Sequence, residues 1–348
     1  QQGQEESLEK FEETTMADKT FVFVGDTEVG SRLSQSLNAG GFSTAASLSD
    51  ADVVFTYYET QQGLEDLYFD SKGLLQDTKE GALLVDLSPT TPSFARELYA
   101  VARVNERNTL DAPLVVRNIV EEDAFASCDN LMIFVGGEEE SYEEAKPMLH
   151  AIARHVLYLG EAGCGQSAKV MATLQRASAL IGVIESYATY INGDVRFDWE
   201  EVIDTLSIAG CVSPVNIAYI DAIRTHDFTG TYTVEILMAE LVAALSSADD
   251  KDHIIPQAEA GFRLMELLAM VGGAAYNPAA LALIFDDEDA AKRFGLDWSR
   301  AEGAYEKHDH DHDCDCGHDH SHEEFDEVNS YFDTSDGYPE AMGDFSAN

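Results

Sequence analysis

Apolar positions in the first half of the chain form short continuous runs, and longer amphipathic stretches separate most of these runs. Runs of this length, bounded by turn residues and rich in Val, Phe and Leu, are typical of buried strands. The amphipathic stretches, notably residues 91–104 and 141–153, predict helices. Alternation of strand and helix indicates a largely parallel sheet covered by helices. The five predicted strands are residues 20–24, 51–57, 82–86, 110–116 and 131–135.

The pattern changes after residue 159, where helical periodicity replaces the strand-like runs. Residues 166–191 predict one long helix without proline. The second half is therefore expected to be all-α and to end near residues 298–300. Its further predicted helices are residues 199–209, 214–224, 233–246 and 256–271.

A glycine turn follows the first predicted strand, with Gly25 at its start and Gly30 at its end, before a predicted helix at 31–39. Such a turn lets the backbone approach a phosphate, while the helix N-terminus offers free N–H groups. We therefore expect Gly25, Thr27, Val29 and Gly30 to contact a dinucleotide. The alternative is that both glycines only close a strand–helix turn.

Four more motifs follow in a fixed order: DLSPTTP at 86–92, DAP at 111–113, FVGG at 134–137 and GCGQSAK at 163–169. In this order the chain resembles the β-hydroxyacid dehydrogenases, which include 3-hydroxyisobutyrate dehydrogenase and the N-terminal part of 6-phosphogluconate dehydrogenase. The resemblance implies a Rossmann-type parallel-sheet domain followed by a helical domain with a long inter-domain helix. It also implies NAD- or NADP-dependent oxidation of small β-hydroxy acids by a homodimer or tetramer.

Four segments follow from the pattern and the resemblance together. Residues 1–19 are expected to be a disordered extension, with Met16 as a possible start. Residues 20–162 form the dinucleotide-binding-like domain, and residues 163–300 form the all-helical domain for substrate and dimerisation. Residues 301–348, acidic and rich in His and Cys, are expected to be disordered because apolar residues are sparse there.

The cofactor half departs from the family pattern in three places, one of which is Glu59, where the family usually has proline at the strand end. Thr27 stands where the family has its middle glycine, and the flanking Asp26 and Glu28 would repel a diphosphate that they faced. Only nine residues separate Phe42 from Asp52, too few for a strand and a crossover helix. The part that holds adenosine is therefore shortened, and Asp50 is the remaining candidate for a ribose hydroxyl.

Other cofactor candidates lie where predicted strands end. The resemblance places Ser88 and Thr90, after the third strand, beside the nicotinamide. Tyr57 and Tyr58 end the second strand and are candidates to pack on a ligand ring. Aromatic residues at strand ends are more commonly part of a core, and that alternative stays open here.

Lys169 is the candidate general acid/base, because the resemblance places the family's catalytic lysine at this position. A helix N-terminus and burial both disfavour a charged ammonium, so both lower a lysine pKa toward neutrality. Thr173 replaces the family's asparagine one turn later and keeps a hydrogen-bonding group on the same face. The alternative for Lys169 is an exposed helix lysine.

The substrate-binding positions are more altered. Val115, Val116 and Arg117 replace the family's Ser-Gly-Gly, which cradles a carboxylate. A second family lysine aligns with Ala239, beside Glu240. Arg117 or Arg176 is therefore a candidate carboxylate clamp, since a guanidinium binds carboxylates in a bidentate manner. For both arginines the alternative is a surface position beside an acid.

Charge limits the partners that the chain can bind. Its 348 residues include 65 acidic and 21 basic ones, giving a net charge of −44. This balance argues against nucleic acid and anionic membranes, and no apolar run reaches the length of a membrane span. The N-terminus lacks the basic and apolar regions of a secretory signal. Five irregularly spaced cysteines do not predict a disulfide framework, so a reducing cytoplasm is expected.

The tail holds six histidines and two cysteines within residues 308–322. Imidazole and thiolate are preferred ligands of zinc and nickel, and low-complexity tracts of this kind are typical of metal buffers or delivery arms. We expect Zn or Ni to bind here; the alternative is a solvated acidic tail. The predicted ligands are His308, His310, His312, Cys314, Cys316, His318, His320 and His322.

Two functions remain open from the sequence. The first is an NAD(P)-dependent oxidoreductase that acts on the CH–OH group of a small carboxylate-bearing substrate. The second is a non-catalytic relative, a scaffold whose tail stores or delivers metal. The retained Lys169 favours the first, and the altered Thr27 and Val115 favour the second.

Overall fold

The computed structural model describes residues 19–58, 60–194 and 196–301. Their first half forms one eight-stranded sheet in the order β2-β1-β3-β4-β5-β7-β6, with β8 paired to the free side of β7. The strands are β1 (Thr20–Gly25), β2 (Ser43–Thr44), β3 (Val53–Tyr57), β4 (Leu83–Asp86), β5 (Asn108–Asp111), β6 (Leu114–Val116), β7 (Leu131–Gly137) and β8 (His155–Tyr158).

Helices flank this sheet and then make up the whole second half of the described chain. Those beside the strands are α1 (Thr27–Ala39), α2 (Gln61–Phe69), α3 (Leu74–Asp77), α4 (Pro92–Val104) and α5 (Glu139–Ile152). The second half contains α6 (Cys164–Ile191), α7 (Trp199–Ile208), α8 (Pro214–Thr225), α9 (Val234–Asp249), α10 (Pro256–Leu268), a 3-10 helix (Pro278–Ile284) and α11 (Glu288–Arg293). The predicted fold class, a parallel-sheet domain followed by helices, is confirmed.

Some elements differ from the prediction. The sheet is mixed, because β7 runs antiparallel to both β5 and β6. The strand predicted at 110–116 is divided at Pro113, which has no N–H to donate to a sheet. The short strands β2 and β8 and the short helices α2, α3 and α11 were not predicted. Each lacks the length over which periodicity becomes readable.

The segment between β2 and β3 holds one 3-10 turn, Leu48–Asp50, in place of a crossover helix. The predicted shortening of this segment is therefore confirmed, although a two-residue strand pairs with β1. The expectation that Asp50 meets a ribose is wrong. The backbone oxygen of Asp50 accepts hydrogen bonds from Lys79 (3.2 Å) and from Thr20 (3.4 Å), the first residue of β1. Asp50 thus lies at the amino edge of the sheet, opposite Gly25.

The 28-residue helix α6 joins the two halves. Its buried side chains, among them Ala177, Leu180 and Ile184, belong to one continuous core that extends from the sheet into the helices. No single helix of the described residues is long and apolar enough to cross a membrane. Two consecutive segments, Pro256–Gly273 and Pro278–Ile284, reach that length and composition only together, and they are bent by 83° relative to each other.

Candidate active site

The start of α6 is held at the carboxyl edge of the sheet by a carboxylate. Asp111, the last residue of β5, accepts the backbone N–H groups of Gly163 (2.8 Å) and Gln166 (3.0 Å). Burial raises the pKa of Asp111 to about 6, while these N–H donors oppose the rise. Gly163 has a left-handed φ of 90°, which glycine adopts without strain. This anchoring determines where the next turns of α6 project.

Lys169, one and a half turns into α6, is buried and bonded on two sides. Its Nζ lies 2.6 Å from Glu240 Oε1 and donates to the backbone oxygen of Leu114 at 2.7 Å. The two side chains of the ion pair are only 5% and 3% exposed. Burial lowers the pKa of Lys169 to about 8, although the Glu240 charge acts in the opposite direction. The surface alternative for Lys169 is therefore wrong.

Glu240 of α9 is the centre of the cluster. Its Oε2 accepts from Thr173 Oγ1 at 2.9 Å and lies 3.7 Å from Arg176 Nη1. Burial alone would raise the pKa of Glu240, but the charges of Lys169 and Arg176 hold it below its usual value. Thr173 thus donates the hydrogen bond expected of it, and its acceptor is Glu240.

Arg176 closes the cluster on the next turn of α6. Its guanidinium donates to the backbone oxygen of Val116, lies 3.5 Å from the hydroxyl of Tyr232 and stands 5.7 Å from the centre of that ring. Its side chain is 8% exposed, so the surface alternative is wrong for Arg176 as well. Lys169, Thr173, Arg176 and Glu240 form what we call the α6 cluster. It contains two cations against one carboxylate.

Arg117, the other candidate clamp, does not join the α6 cluster. Its side chain is exposed, and its backbone N–H donates to Asn130 at 2.8 Å. Val115 and Val116 are buried, and the backbone carbonyl oxygen of Val116 accepts a hydrogen bond from Arg176. A carboxylate clamp in this structure therefore rests on Arg176.

Gln166 joins the end of β4 to α6. Its side chain accepts from the backbone N–H of Thr90 at 3.1 Å and donates to the backbone oxygen of Ser88 at 2.8 Å. Ser88 Oγ in turn accepts from the backbone N–H of Tyr58 at 3.0 Å. The hydroxyl of Thr90 is buried and has no hydrogen-bond partner among the described residues. It leaves a polar atom that a ligand could satisfy.

Close packing explains both glycines of the turn after β1. Gly25 has φ 126°, and a Cβ there would collide with the backbone oxygen of Tyr57. A Cβ at Gly30 would collide with the ring of Phe23. Each glycine is thus required for packing, as the alternative interpretation proposed, and Thr27 begins α1 between them.

A carboxylate lies on the helix end of this turn. Asp26 Oδ1 accepts the backbone N–H of Val29 at 2.7 Å, so Asp26 caps α1. In a dinucleotide-binding turn the N–H groups at this end face the diphosphate. Val29 itself is buried, and its backbone N–H is directed to Asp26.

Aromatic rings fill the crevice between this turn and the helical half. Phe125 makes an edge contact with Tyr57 at 6.2 Å and stacks on Tyr232 at 6.3 Å. A cavity of about 100 Å³ lies beside the turn and is lined partly by Asp26, Glu28 and Phe125. Tyr57 is therefore part of a core contact, and the half-buried Tyr58 lies against Gly25 and Gly63.

The two ends of this arrangement differ in how well they suit a nicotinamide dinucleotide. The free hydroxyl of Thr90 suits a polar group at the α6 end. At the other end the Asp26 carboxylate already occupies an N–H of the helix N-terminus. A diphosphate that binds to this N–H must displace the Asp26 carboxylate from it.

A second cavity, of about 380 Å³, lies among α6, α7 and α8, outside the crevice. Aromatic side chains dominate its wall, including Tyr187, Tyr190, Phe197 and Trp199. Within the described ranges no group of three or more His, Cys, Asp or Glu side chains could hold a metal ion. The eight predicted ligands of the tail, at positions 308–322, lie outside the described residues.

Sequence reasoning did not assign a site role to Glu240, Asp111, Gln166 or Tyr232. Glu240 had a weak signal, as the acidic neighbour of Ala239 at a family lysine position. Asp111 lay in the DAP motif and Gln166 in the GCGQSAK motif, so both were visible without a role. Tyr232 had no signal, because only the tertiary structure brings it to Arg176.

Comparison with known proteins places this geometry in context. Residues 19–160 match the model of the NAD binding domain of 6-phosphogluconate dehydrogenase. An NAD-dependent L-serine dehydrogenase of Pseudomonas aeruginosa is 29% identical over 259 residues, which cover 72% of this chain and 85% of that protein. The uncharacterized oxidoreductase YkwC of Bacillus subtilis is 34% identical over 139 residues, 40% of this chain and 46% of YkwC.

A solved structure of similar fold is the 3-hydroxyisobutyrate dehydrogenase of Mycobacterium tuberculosis with L-serine. Its TM-score is 0.64 at 20% identity, with 77% of this chain and 99% of that chain covered. The similarity extends over both the sheet and the helical half.

Proposed function

We propose a substrate and a set of residue roles for this protein, which belongs to the β-hydroxyacid dehydrogenase family of NAD-binding oxidoreductases. The proposed reaction is the oxidation of a small β-hydroxy acid, or its reversal, with NAD or NADP as the hydride carrier. L-Serine and 3-hydroxyisobutyrate, which appear in the names of relatives, are the first substrates to test.

The α6 cluster carries the proposal. Its two buried cations face a single buried carboxylate, so it keeps an excess positive charge. An uncompensated buried charge is costly, and an anionic ligand group would offset it. A substrate carboxylate supplies such a charge, and the guanidinium of Arg176 is the group best shaped to receive it.

Lys169 is the proposed acid/base group. An amine with a pKa of about 8 changes protonation near neutral pH, which is the range in which a general base works best. It would take the proton from the substrate hydroxyl, and return it in the reverse direction. Glu240 orients the ammonium through its 2.6 Å contact, and Thr173 orients Glu240.

The test is a steady-state assay of the full chain with L-serine and 3-hydroxyisobutyrate, each with NAD and NADP. Replacement of Lys169 with Met should lower kcat/KM by about a hundredfold or more, because proton transfer is lost. The control is Lys146→Met, an exposed lysine paired with Glu143, which should leave kcat/KM unchanged. Equal activity of the two variants would contradict the role of Lys169, and no turnover of any β-hydroxy acid would contradict the function.

We also propose a metal-binding function for the tail, supported by six histidines and two cysteines in residues 308–322. Several equivalents of Zn or Ni should bind the full chain and none should bind a chain ending at Arg300. Equal metal content of the two forms, measured by equilibrium dialysis, would contradict this proposal.

A homodimer is the proposed assembly. The exposed apolar side chains of the helical half favour it: Ile208 is 89% exposed, and Phe197 borders the 380 Å³ cavity. An exposed apolar patch such as the wall of this cavity is typical of an interface. Light scattering on Ile208→Asp and Phe197→Asp should show a shift from dimer to monomer, whereas an unchanged mass would contradict this interface.

A further inference from the structure

The acid at the start of α1 has the position that an anionic ligand takes in related turns. Asp26 accepts the Val29 N–H at 2.7 Å, and its own N–H donates to the Tyr57 oxygen at 2.9 Å. The residue is thus held at its backbone and at its side chain. A carboxylate on a helix N-terminus gains from the same N–H groups and dipole that attract phosphate.

The surroundings strengthen the negative potential. Glu28 is exposed on the first turn of α1, and Asp123 reaches over from the loop after β6. The cation of this cavity wall is Arg32, whose Nε lies 2.6 Å from Asp123 Oδ2. With Glu235, four carboxylates and one guanidinium therefore line a cavity of about 100 Å³. A diphosphate brought here meets like charges at short range.

The loop that carries Asp123 is also attached to the helical half. The backbone N–H of Ala124 donates to Thr231 Oγ1 at 2.9 Å, and the backbone N–H of Thr231 donates to the Glu122 oxygen at 3.1 Å. Phe125, next in the chain, lies between Tyr57 and Tyr232. The same loop therefore positions both the Asp123 carboxylate and the Phe125 ring between the turn and the helical half.

We propose that Asp26 is an intramolecular competitor of the cofactor diphosphate. Its carboxylate occupies the helix N-terminus in the absence of cofactor, and the dinucleotide binds only when this carboxylate leaves Val29. The wild-type chain consequently binds NAD or NADP weakly at low salt. Salt strengthens binding, because it screens the repulsion between carboxylate and diphosphate. This inference rests on the proposed function, since it presupposes that a nicotinamide dinucleotide is the ligand.

The test compares Asp26→Asn and Asp26→Ser with the wild type by titration of NADH and NADPH, followed by cofactor fluorescence. Both replacements keep an N-cap acceptor and remove the charge. The matched control is Asp287→Asn, because Asp287 caps the exposed helix α11 by accepting from Ala290 at 2.8 Å. Thermal unfolding of each cofactor-free variant shows whether its fold is intact.

We expect the Asp26 variants to bind at least about tenfold more tightly than wild type near 0.15 M KCl, where charges interact over about 8 Å. The difference should shrink at about 2 M KCl, where screening is nearly complete, and Asp287→Asn should bind like wild type. Equal or weaker binding by both Asp26 variants, with measurable binding by wild type, would overturn this inference and leave the proposed function standing. No binding by any folded variant at millimolar cofactor would overturn both.

Discussion

Two helices, α1 and α6, begin at the same edge of the sheet, and each has an aspartate on its N-terminal N–H groups. At α6 the carboxylate comes from a neighbouring strand: Asp111 is buried and binds Gly163 and Gln166. At α1 it comes from the preceding residue: Asp26 is only half-buried and faces the crevice. The comparison shows that a hydrogen bond from a helix N-terminus to an aspartate can either position a site or occupy the place of a ligand.

At α6 the buried aspartate fixes the helix, and the next three turns present Lys169, Thr173 and Arg176 to Glu240. The residues proposed for proton transfer and carboxylate binding lie there. At α1 the local cap stabilises the helix at the place where a ligand's charge would otherwise do so. The N–H of Val29 at the glycine turn therefore already has a hydrogen-bond partner within the chain, whereas the α6 cluster still has an excess positive charge.

Removing the charge of Glu240 should destabilise the α6 cluster more than any other change considered below. Replacement by Gln leaves Lys169 and Arg176 buried without their counter-charge. We expect a loss of about 3–5 kcal/mol in the free energy of unfolding, measured by chemical denaturation. Glu288→Gln removes one partner of an exposed pair with Lys292 and should leave the free energy of unfolding nearly unchanged. Similar losses in the two variants would contradict the buried role of Glu240.

The next largest effect is a dependence of the free energy of unfolding on pH, caused by a buried aspartate at the carboxyl edge of the sheet. Burial raises the pKa of Asp86, the neighbour of Asp111 in the sheet, to about 7 from 3.8. Between these values the folded state holds a proton that the unfolded state has released, so stability falls as pH rises and levels off above about 7. Asp86→Asn removes this contribution. The unfolding free energies of wild type and variant should therefore diverge as the pH is raised from about 4 to about 8, and a constant difference would contradict this expectation.

At the α1 side, Gly25 sharpens the comparison, because it brings the turn against β3. An alanine there would need φ 126° and would collide with the Tyr57 oxygen. Gly25→Ala should cost about 2 kcal/mol or more, measured by thermal or chemical unfolding. Gly41→Ala also needs a positive φ, of 91°, but enters open space. Its cost should be about 1 kcal/mol, and an equal cost at both positions would show that the contact with Tyr57 is unimportant.

The smallest effect is expected at Arg32, whose pair with Asp123 is about one-third exposed on each side. Arg32→Gln should change the free energy of unfolding by about 0.2–1 kcal/mol, because partly exposed pairs are weak. A loss comparable to that of Glu240→Gln would mean that the loop after β6 is held mainly by this pair.

The sequence could group candidate site residues where the position of each residue on its own helix was enough. Lys169, Thr173 and Arg176 share one face of α6 by spacing alone, and their sequence assignment could be made without coordinates. Arg117 could not be distinguished from Arg176 in this way, because only the packing exposes one and buries the other. Glu240 lies on α9 and Tyr232 lies just before that helix, so both are distant from α6 in the chain and no local pattern predicts their contacts with it.

The amino-acid sequence by itself determined the order of the longer strands and helices, the division between sheet and helical half, the glycine turn and the acid beside it. These follow from local periodicity and from motifs read along one segment. Only the tertiary structure decided that Asp26 turns onto Val29, that Phe125 fills the crevice and that two cations share Glu240. The physical reason is that such contacts join residues distant in the chain, or choose one partner among several, and burial of the whole core makes that choice.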